Sequence, residues 1–187
     1  METLLNYLQA LHPLSPALLD YLLQVLKRRD LHKKEYLLKA GHVCRHIYFI
    51  RQGLLRCFYL REETEVCSWF MKEGDVIISV GSFFEQRDSY ESIQALESCE
   101  LYGIEYCQLQ LIYRNFPEFN FIGRVLLQKY YQLSEQRLYS MRMQQGQERY
   151  GFLMQHHPDL ILRVPAKYIA SYLGISEAHF SVIKARQ

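Results

Sequence analysis

No Cys-x-x-Cys pair occurs in this chain: its five cysteines, at 44, 57, 67, 99 and 107, form an odd and scattered set. A disulfide framework needs an even number and a clustered zinc or iron-sulfur site needs close pairs, so the cysteines read as buried thiols. No apolar run approaches the roughly 18 residues of a membrane-spanning helix. Nor does a basic start lead into an apolar stretch, because Asn6, Gln9, His12, Asp20 and Gln24 interrupt the opening segment; the expected location is the cytoplasm. A net charge of +2 is too small to announce a nucleic-acid binder, so any basic surface has to be local. It is local near the end, where Arg163, Lys167, Lys184 and Arg186 stand against Glu177.

What is present is the composition of an ordinary globular protein, 187 residues with 49% hydrophobic and 22% charged, enough for one large domain or two small ones. The most informative stretch runs from Tyr168 to Lys184. Ile169, Leu173, Phe180 and Ile183 fall at helical spacing on both sides of Gly174, and Ala170 supplies a small residue where two helices approach closely. Gly174 suits the positive φ that ends a first helix, Ile175 fills the wedge, and Ser176 suits the N-cap of a second. This pattern is a helix-turn-helix, whose second helix lies in the DNA major groove with its N-terminal residues toward base edges.

Upstream, leucines at 4, 5, 8 and 11 and at 18, 19, 22, 23 and 26 predict two amphipathic helices around His12-Pro13, with Lys27, Arg28 and Arg29 as the solvated end of the second. From Lys34 the period changes. Short apolar runs at 36–38, 47–50, 54–59, 67–71, 76–80, 93–96 and 101–106 predict strands of an antiparallel sandwich or barrel of the jelly-roll kind. His42, Cys44 and His46 alternate as metal ligands on one strand would, but they follow Ala40-Gly41 in what reads as a turn. A metal-dependent barrel enzyme is disfavoured, because no histidine lies between His46 and His156 to supply ligands from several strands. The expected protein is not an enzyme, with no metal and no cofactor.

Pro117 sits where the first turn of a long helix tolerates a missing N–H, and the segment runs to Gln145 before Gly146. It carries two apolar stripes: Ile122, Leu126, Tyr130 and Leu133 on one, Leu127, Tyr131, Leu138 and Met141 on the other. One stripe packs on the helix's own domain and the other on a partner helix; the first is assigned here to a homodimer interface. Glu148 to Met154 opens a C-terminal unit, His156-His157-Pro158-Asp159 breaks it, and Val164-Pro165 leads into the helix pair.

The order of parts and several strings resemble the Crp/Fnr transcription regulators, in particular the form common in Bacteroidetes. Leu37-Leu38-Lys39-Ala40-Gly41, then Ile47 to Arg56, look like the opening strands of a cyclic-nucleotide-binding barrel. Gly74-Asp75 and Ile93-Gln94-Ala95-Leu96-Glu97 fit its later strands, and Arg163-Val164-Pro165 with 168–175 fits the entry to the helix-turn-helix. The resemblance implies an α+β fold in three parts: a β-roll sensor over 1–115, a dimerisation helix over 116–146 and a DNA-binding unit over 147–187. It also implies DNA and a second copy as partners.

Two departures from the family qualify that expectation. Where relatives that bind cyclic AMP have the glutamate and arginine of their phosphate cassette, this chain has Ile78-Ser79-Val80 and Ser89-Tyr90. A charge-assisted, bidentate pair to the cyclic phosphate is thereby lost, and cyclic AMP is not the expected effector, although Arg87 lies two residues away. Phe83 and Tyr90 are expected to make the remaining cavity apolar. The haem and iron-sulfur variants are not supported, since no N-terminal cysteine cluster exists. In the second helix, Ser176, Glu177, Ala178, Ser181 and Val182 are expected on the exposed side, with Val182 where the family usually has arginine. Lys167, Tyr168, His179, Lys184 and Arg186 are the candidate phosphate contacts. Gln187 is the last residue given, short of the β-hairpin wing that many relatives place after this helix. The expected function is a DNA-binding regulator with a degenerate nucleotide pocket; the alternative is a dimeric scaffold that has lost operator binding.

Overall fold

The computed structural model describes residues 1–186. In chain order the elements are α1 (Glu2–Leu11), α2 (Pro16–Val25), β1 (Lys27–Leu31), β2 (Tyr36–Leu38), β3 (His46–Gln52), β4 (Leu55–Arg61), β5 (Thr64–Met71), β6 (Val76–Ile77), α3 (Val80–Glu85), β7 (Glu91–Ala95), β8 (Cys99–Glu105), α4 (Tyr106–Asn115), α5 (Pro117–Met143), α6 (Gly146–His156), α7 (Pro158–Arg163), α8 (Ala166–Leu173) and α9 (Glu177–Ala185). The chain divides into two compact units, residues 1–57 with 70–128 and residues 58–69 with 129–187, so that α5 and the β4–β5 hairpin contribute residues to both.

The strands form two sheets in the orders β1-β8-β3-β6 and β2-β7-β4-β5, with β8 antiparallel to both β1 and β3. The expected α+β β-roll with a long helix and C-terminal helices is the observed fold. Its core is the inward set of the strand runs: Phe49, Ile50, Leu55, Ile77, Ile93 and Leu101 are all buried, which is the burial that drives such a roll together. Gly103 faces Tyr48 across the β3–β8 pair, and a Cβ there would overlap the Tyr48 ring. At the other end Ser15 caps α2, accepting from the Leu18 amide at 3.2 Å and donating to Glu118 at 2.6 Å.

Several expectations shift. Lys27, Arg28 and Arg29 belong to strand β1 rather than to the end of α2, because Leu26 turns extended (φ −66, ψ 120) and stops the helix. β1 is an edge strand, and charges suit an edge exposed to water; Arg28 pairs with Asp30 at 3.0 Å and with Glu100 at 3.3 Å. The run 76–80 is strand only at Val76–Ile77, since Val80 already begins α3. α5 ends at Met143, two residues before Gln145. Four cysteines are buried thiols, but Cys107 is exposed on α4. The alternating triplet does not share a strand: His42 lies in the turn, exposed, while the buried Cys44 thiol donates to the His46 carbonyl at 3.4 Å.

On α5 the stripe assigned to the interface is partly covered by its own chain: Ile122 is buried and Leu126, Tyr130 and Leu133 are half-buried. Ile122 is 0% exposed within its own chain, whereas Leu127 is 63% and Tyr131 65% exposed, with Leu138 and Met141 also open to solvent. Leu127, Tyr131, Ser134, Leu138 and Met141 follow one another at intervals of four, three, four and three residues. That is heptad spacing, the period of a seam between two supercoiled helices.

Candidate nucleic-acid interface and sensor cavity

The helix-turn-helix is built as its sequence dictates. α8 ends at Gly174 in the left-handed region (φ 65, ψ 35), and the Ile175 amide reaches back to the Ala170 carbonyl at 3.1 Å, a Schellman closure. It is this conformation that selects glycine, since the nearest atom a Cβ would meet is the terminal methyl of Met141, the movable end of a flexible side chain. Ser176 caps α9 by accepting from the His179 amide at 3.2 Å. Ile169, Ala170, Leu173, Phe180 and Ile183 are buried between the helices, with Phe180 edge-on to Tyr150 at 5.4 Å.

That packing leaves Ser176, Glu177, Ala178, His179, Ser181, Val182, Lys184 and Arg186 exposed. Val182, at the position where an arginine is usual, is 48% exposed. The Ser181 hydroxyl donates to the Glu177 carbonyl at 3.0 Å, which leaves it only acceptor capacity toward a ligand. Lys167 is exposed, its ammonium 4.8 Å over the half-buried Tyr168 ring.

Two arginines that the sequence reading passed over fix α8 in place. Arg137 on α5 donates to the Tyr172 carbonyl and stacks on the Tyr172 ring with its guanidinium 3.6 Å from the centroid. Arg149 on α6 donates to the Leu173 carbonyl at 2.8 Å and to the Gln144 carbonyl. Both cations therefore meet the last carbonyls of α8, where the helix dipole favours positive charge. Burial lowers the Arg137 guanidinium's affinity for its proton and raises the Tyr172 phenol. Neither residue belongs to a recognisable motif; only a basic residue in the last turns of α5 hinted at the first.

In the β-roll, the two serines singled out in the sequence meet each other. Ser79 and Ser89, both buried, lie 2.9 Å apart through their hydroxyls. Ser89 also donates to the Glu91 carbonyl at 2.8 Å and accepts from the Glu91 amide at 3.1 Å. One proton per hydroxyl then makes Ser79 the donor to Ser89. The buried Glu91 carboxyl is pushed above its ordinary range by desolvation, partly countered by its hydrogen bond with Ser79.

The remaining pocket residues scatter. Arg87 does not swing in, since it is exposed and paired with Glu85 at 2.9 Å. Val80 and Tyr90 are exposed and Phe83 is fully buried in the core. The neighbouring cavity, about 180 Å³, takes its apolar walls from Leu37, Val43, Ile77, Ile78 and Ile93 with the Cys44 thiol, and so not from Phe83 or Tyr90 as expected. Among the described residues no cluster of histidine, cysteine and carboxylate side chains could hold a metal ion. No described helix is long and apolar enough to cross a membrane.

Comparison with known proteins agrees with this geometry. Residues 28–115 match the family of the cyclic nucleotide-binding domain. Among solved structures the chain is similar to a transcriptional regulator of the Crp/Fnr family from Eubacterium rectale, with 15% identity, a TM-score of 0.75, and 97% of this chain and 87% of that one covered. It is similar also to FixK2 from Bradyrhizobium japonicum, with 16% identity, a TM-score of 0.73, and 87% and 84% covered. A third is CLP of Xanthomonas campestris, described as a c-di-GMP-responsive global regulator, with 16% identity, a TM-score of 0.72, and 90% and 89% covered. No curated protein sequence matches. The chain therefore has the fold seen in Crp/Fnr transcription regulators, with residues 28–115 similar to the cyclic nucleotide-binding domain.

Proposed function

We propose that this protein is a homodimeric, DNA-binding transcription regulator of the Crp/Fnr type, cytoplasmic and non-enzymatic, whose sensor no longer reads cyclic AMP. The reading rests most on one observation: α9 is capped, packed on α8 from behind and exposed along its outer side, with Lys167 and Lys184 flanking that side. A helix so presented enters the major groove with its first residues toward base edges. The three-part division stands as the functional one: sensor to residue 115, dimerisation helix over 116–146, DNA-binding unit over 147–187. Pairing of two copies is assigned to the exposed heptad stripe of α5, Leu127, Tyr131, Leu138 and Met141, in place of the stripe that begins at Ile122.

The pocket chemistry supports the loss of cyclic-nucleotide reading. Ser79 and Ser89, bonded to one another at 2.9 Å beside a carboxyl driven toward its neutral form, supply hydroxyls in place of the paired charges; the cation that lines the neighbouring cavity is Arg45. A second reading, a dimeric scaffold without operator binding, is favoured by Val182, which presents an apolar side chain where a guanidinium would read guanine. Retention of genomic fragments by the purified full chain, with sequencing of what is retained at a stated salt concentration, separates the two. Recovery of a shared two-fold-symmetric sequence supports the regulator; recovery of no DNA at low salt supports the scaffold.

A further inference from the structure

β5 is the outermost strand of its sheet, and an outermost strand has backbone donors and acceptors without a neighbouring strand. Part of that edge is closed by a side chain of the helix-turn-helix. The Ser171 hydroxyl, on α8, accepts from the Cys67 amide at 2.9 Å and donates to the Glu65 carbonyl at 3.2 Å. One hydroxyl thus bridges an acceptor and a donor two residues apart on the same strand. The hairpin that it seats is acidic at its tip: Glu62, in the left-handed conformation at φ 58, and Glu63 form the exposed turn, and Glu65 follows. A groove of about 630 Å³ separates the two elements, walled on one side by Thr64 and Glu65 and on the other by Lys167, Tyr168 and Ser176. Lys167 and Ser176 are the residues where a helix-turn-helix meets the phosphate backbone, at the start of α8 and at the cap of α9.

We propose that the β4–β5 hairpin is an autoinhibitory gate on the DNA-facing side of the helix-turn-helix, latched by Ser171 and carrying carboxylates where DNA phosphates bind. This rests on the regulator reading given above. Glu65 lines the groove with Lys167, and Arg61 lines it too, while Glu62 and Glu63 extend the acidic turn beyond it; together the three carboxylates outweigh Arg61 and weaken the field that would draw phosphate in. In this gate, engagement of DNA moves the hairpin away from α8 and breaks the bond from the Cys67 amide to Ser171. The latch is weak enough for this, since it consists of two ordinary hydrogen bonds to one hydroxyl.

The test uses the full chain, a fluorescent duplex of mixed sequence, and two variants that fail in different ways. Ser171→Ala removes the latch and leaves the charges; the triple change Glu62→Gln, Glu63→Gln, Glu65→Gln removes the charges and leaves the latch. Each is expected to bind the duplex about tenfold more tightly than wild type at about 50 mM salt, with the gain of the triple variant shrinking as salt screens it. In the wild type, hydrogen exchange at the Cys67 amide is expected to speed up when duplex is saturating. Unchanged affinity in both variants, or a Cys67 amide equally protected with and without duplex, overturns the gate while leaving the regulator reading intact. Failure of all three proteins to bind at low salt overturns the regulator reading, and the gate with it.

Discussion

Ser79 and Ser89 stand ten positions apart in sequence and 2.9 Å apart in space, joined by a hydrogen bond between their buried hydroxyls. Titration of the full chain with cyclic AMP is expected to show no binding tighter than about 100 μM, because a serine, Ser89, stands where the resemblance implies the arginine of a charge-assisted bidentate pair. Calorimetric heats at low micromolar nucleotide would contradict this. Glu91, beside the serines, makes a separate prediction. Burial raises its folded-state pKa above the ordinary value of 4.5, so the stability it permits is complete below that value and is lost as pH rises through the folded pKa. Glu91→Gln keeps the shape without the titration. Melting temperatures measured against pH should therefore coincide for wild type and variant near pH 4.5 and diverge above it, with the variant the more stable; parallel curves would show that the carboxyl is charged in the fold.

At the scale of elements, α5 and α9 carry the account. Leu127→Glu places a charge on the exposed stripe, so the chain should stay folded and dissociate, seen as a halving of mass by light scattering with an unchanged circular dichroism spectrum. Ile122→Glu buries an unpaired charge instead and should unfold the chain, costing more than about 3 kcal/mol. On α9, Val182→Arg adds a donor fork to the exposed side and should sharpen preference for guanine by about 1 to 3 kcal/mol in competition binding. The elements were unequally legible in the sequence. Long leucine-rich periods and the Gly174–Ser176 turn announced α1, α2, α8 and α9, because burial of one face and the chemistry of a turn are local. β1 was hidden by its charges, since an edge strand needs no apolar alternation. α4 follows β8 with no proline or glycine at the junction, and at α3 the glycine, Gly81, lies inside the helix rather than ahead of it. The choice between the α5 stripes was not local at all: Ile122 and Leu127 are equally apolar, and only folding shows which one the chain covers itself. Ser171, Arg137 and Arg149 were invisible for the same reason, as each acts on a backbone group that is distant in sequence.

The whole molecule combines a sensor-type roll without phosphate chemistry, a helix with an uncovered heptad stripe and a helix-turn-helix with an open outer side. Those three features support the proposal that two copies meet on DNA. Dimeric readers engage half-sites about one helical turn apart, and with few charged groups on α9 most of their affinity comes from phosphates. The measurement that tests this most directly is the affinity of the full chain for a genomic fragment it retains, followed from about 50 to 200 mM salt together with the mass of the complex. The account predicts two chains per duplex and a linear fall of log K with log salt, with Lys167→Ala reducing the slope by about one unit. Binding by a single chain, or no binding at the lowest salt by either wild type or the ungated variants, would contradict it.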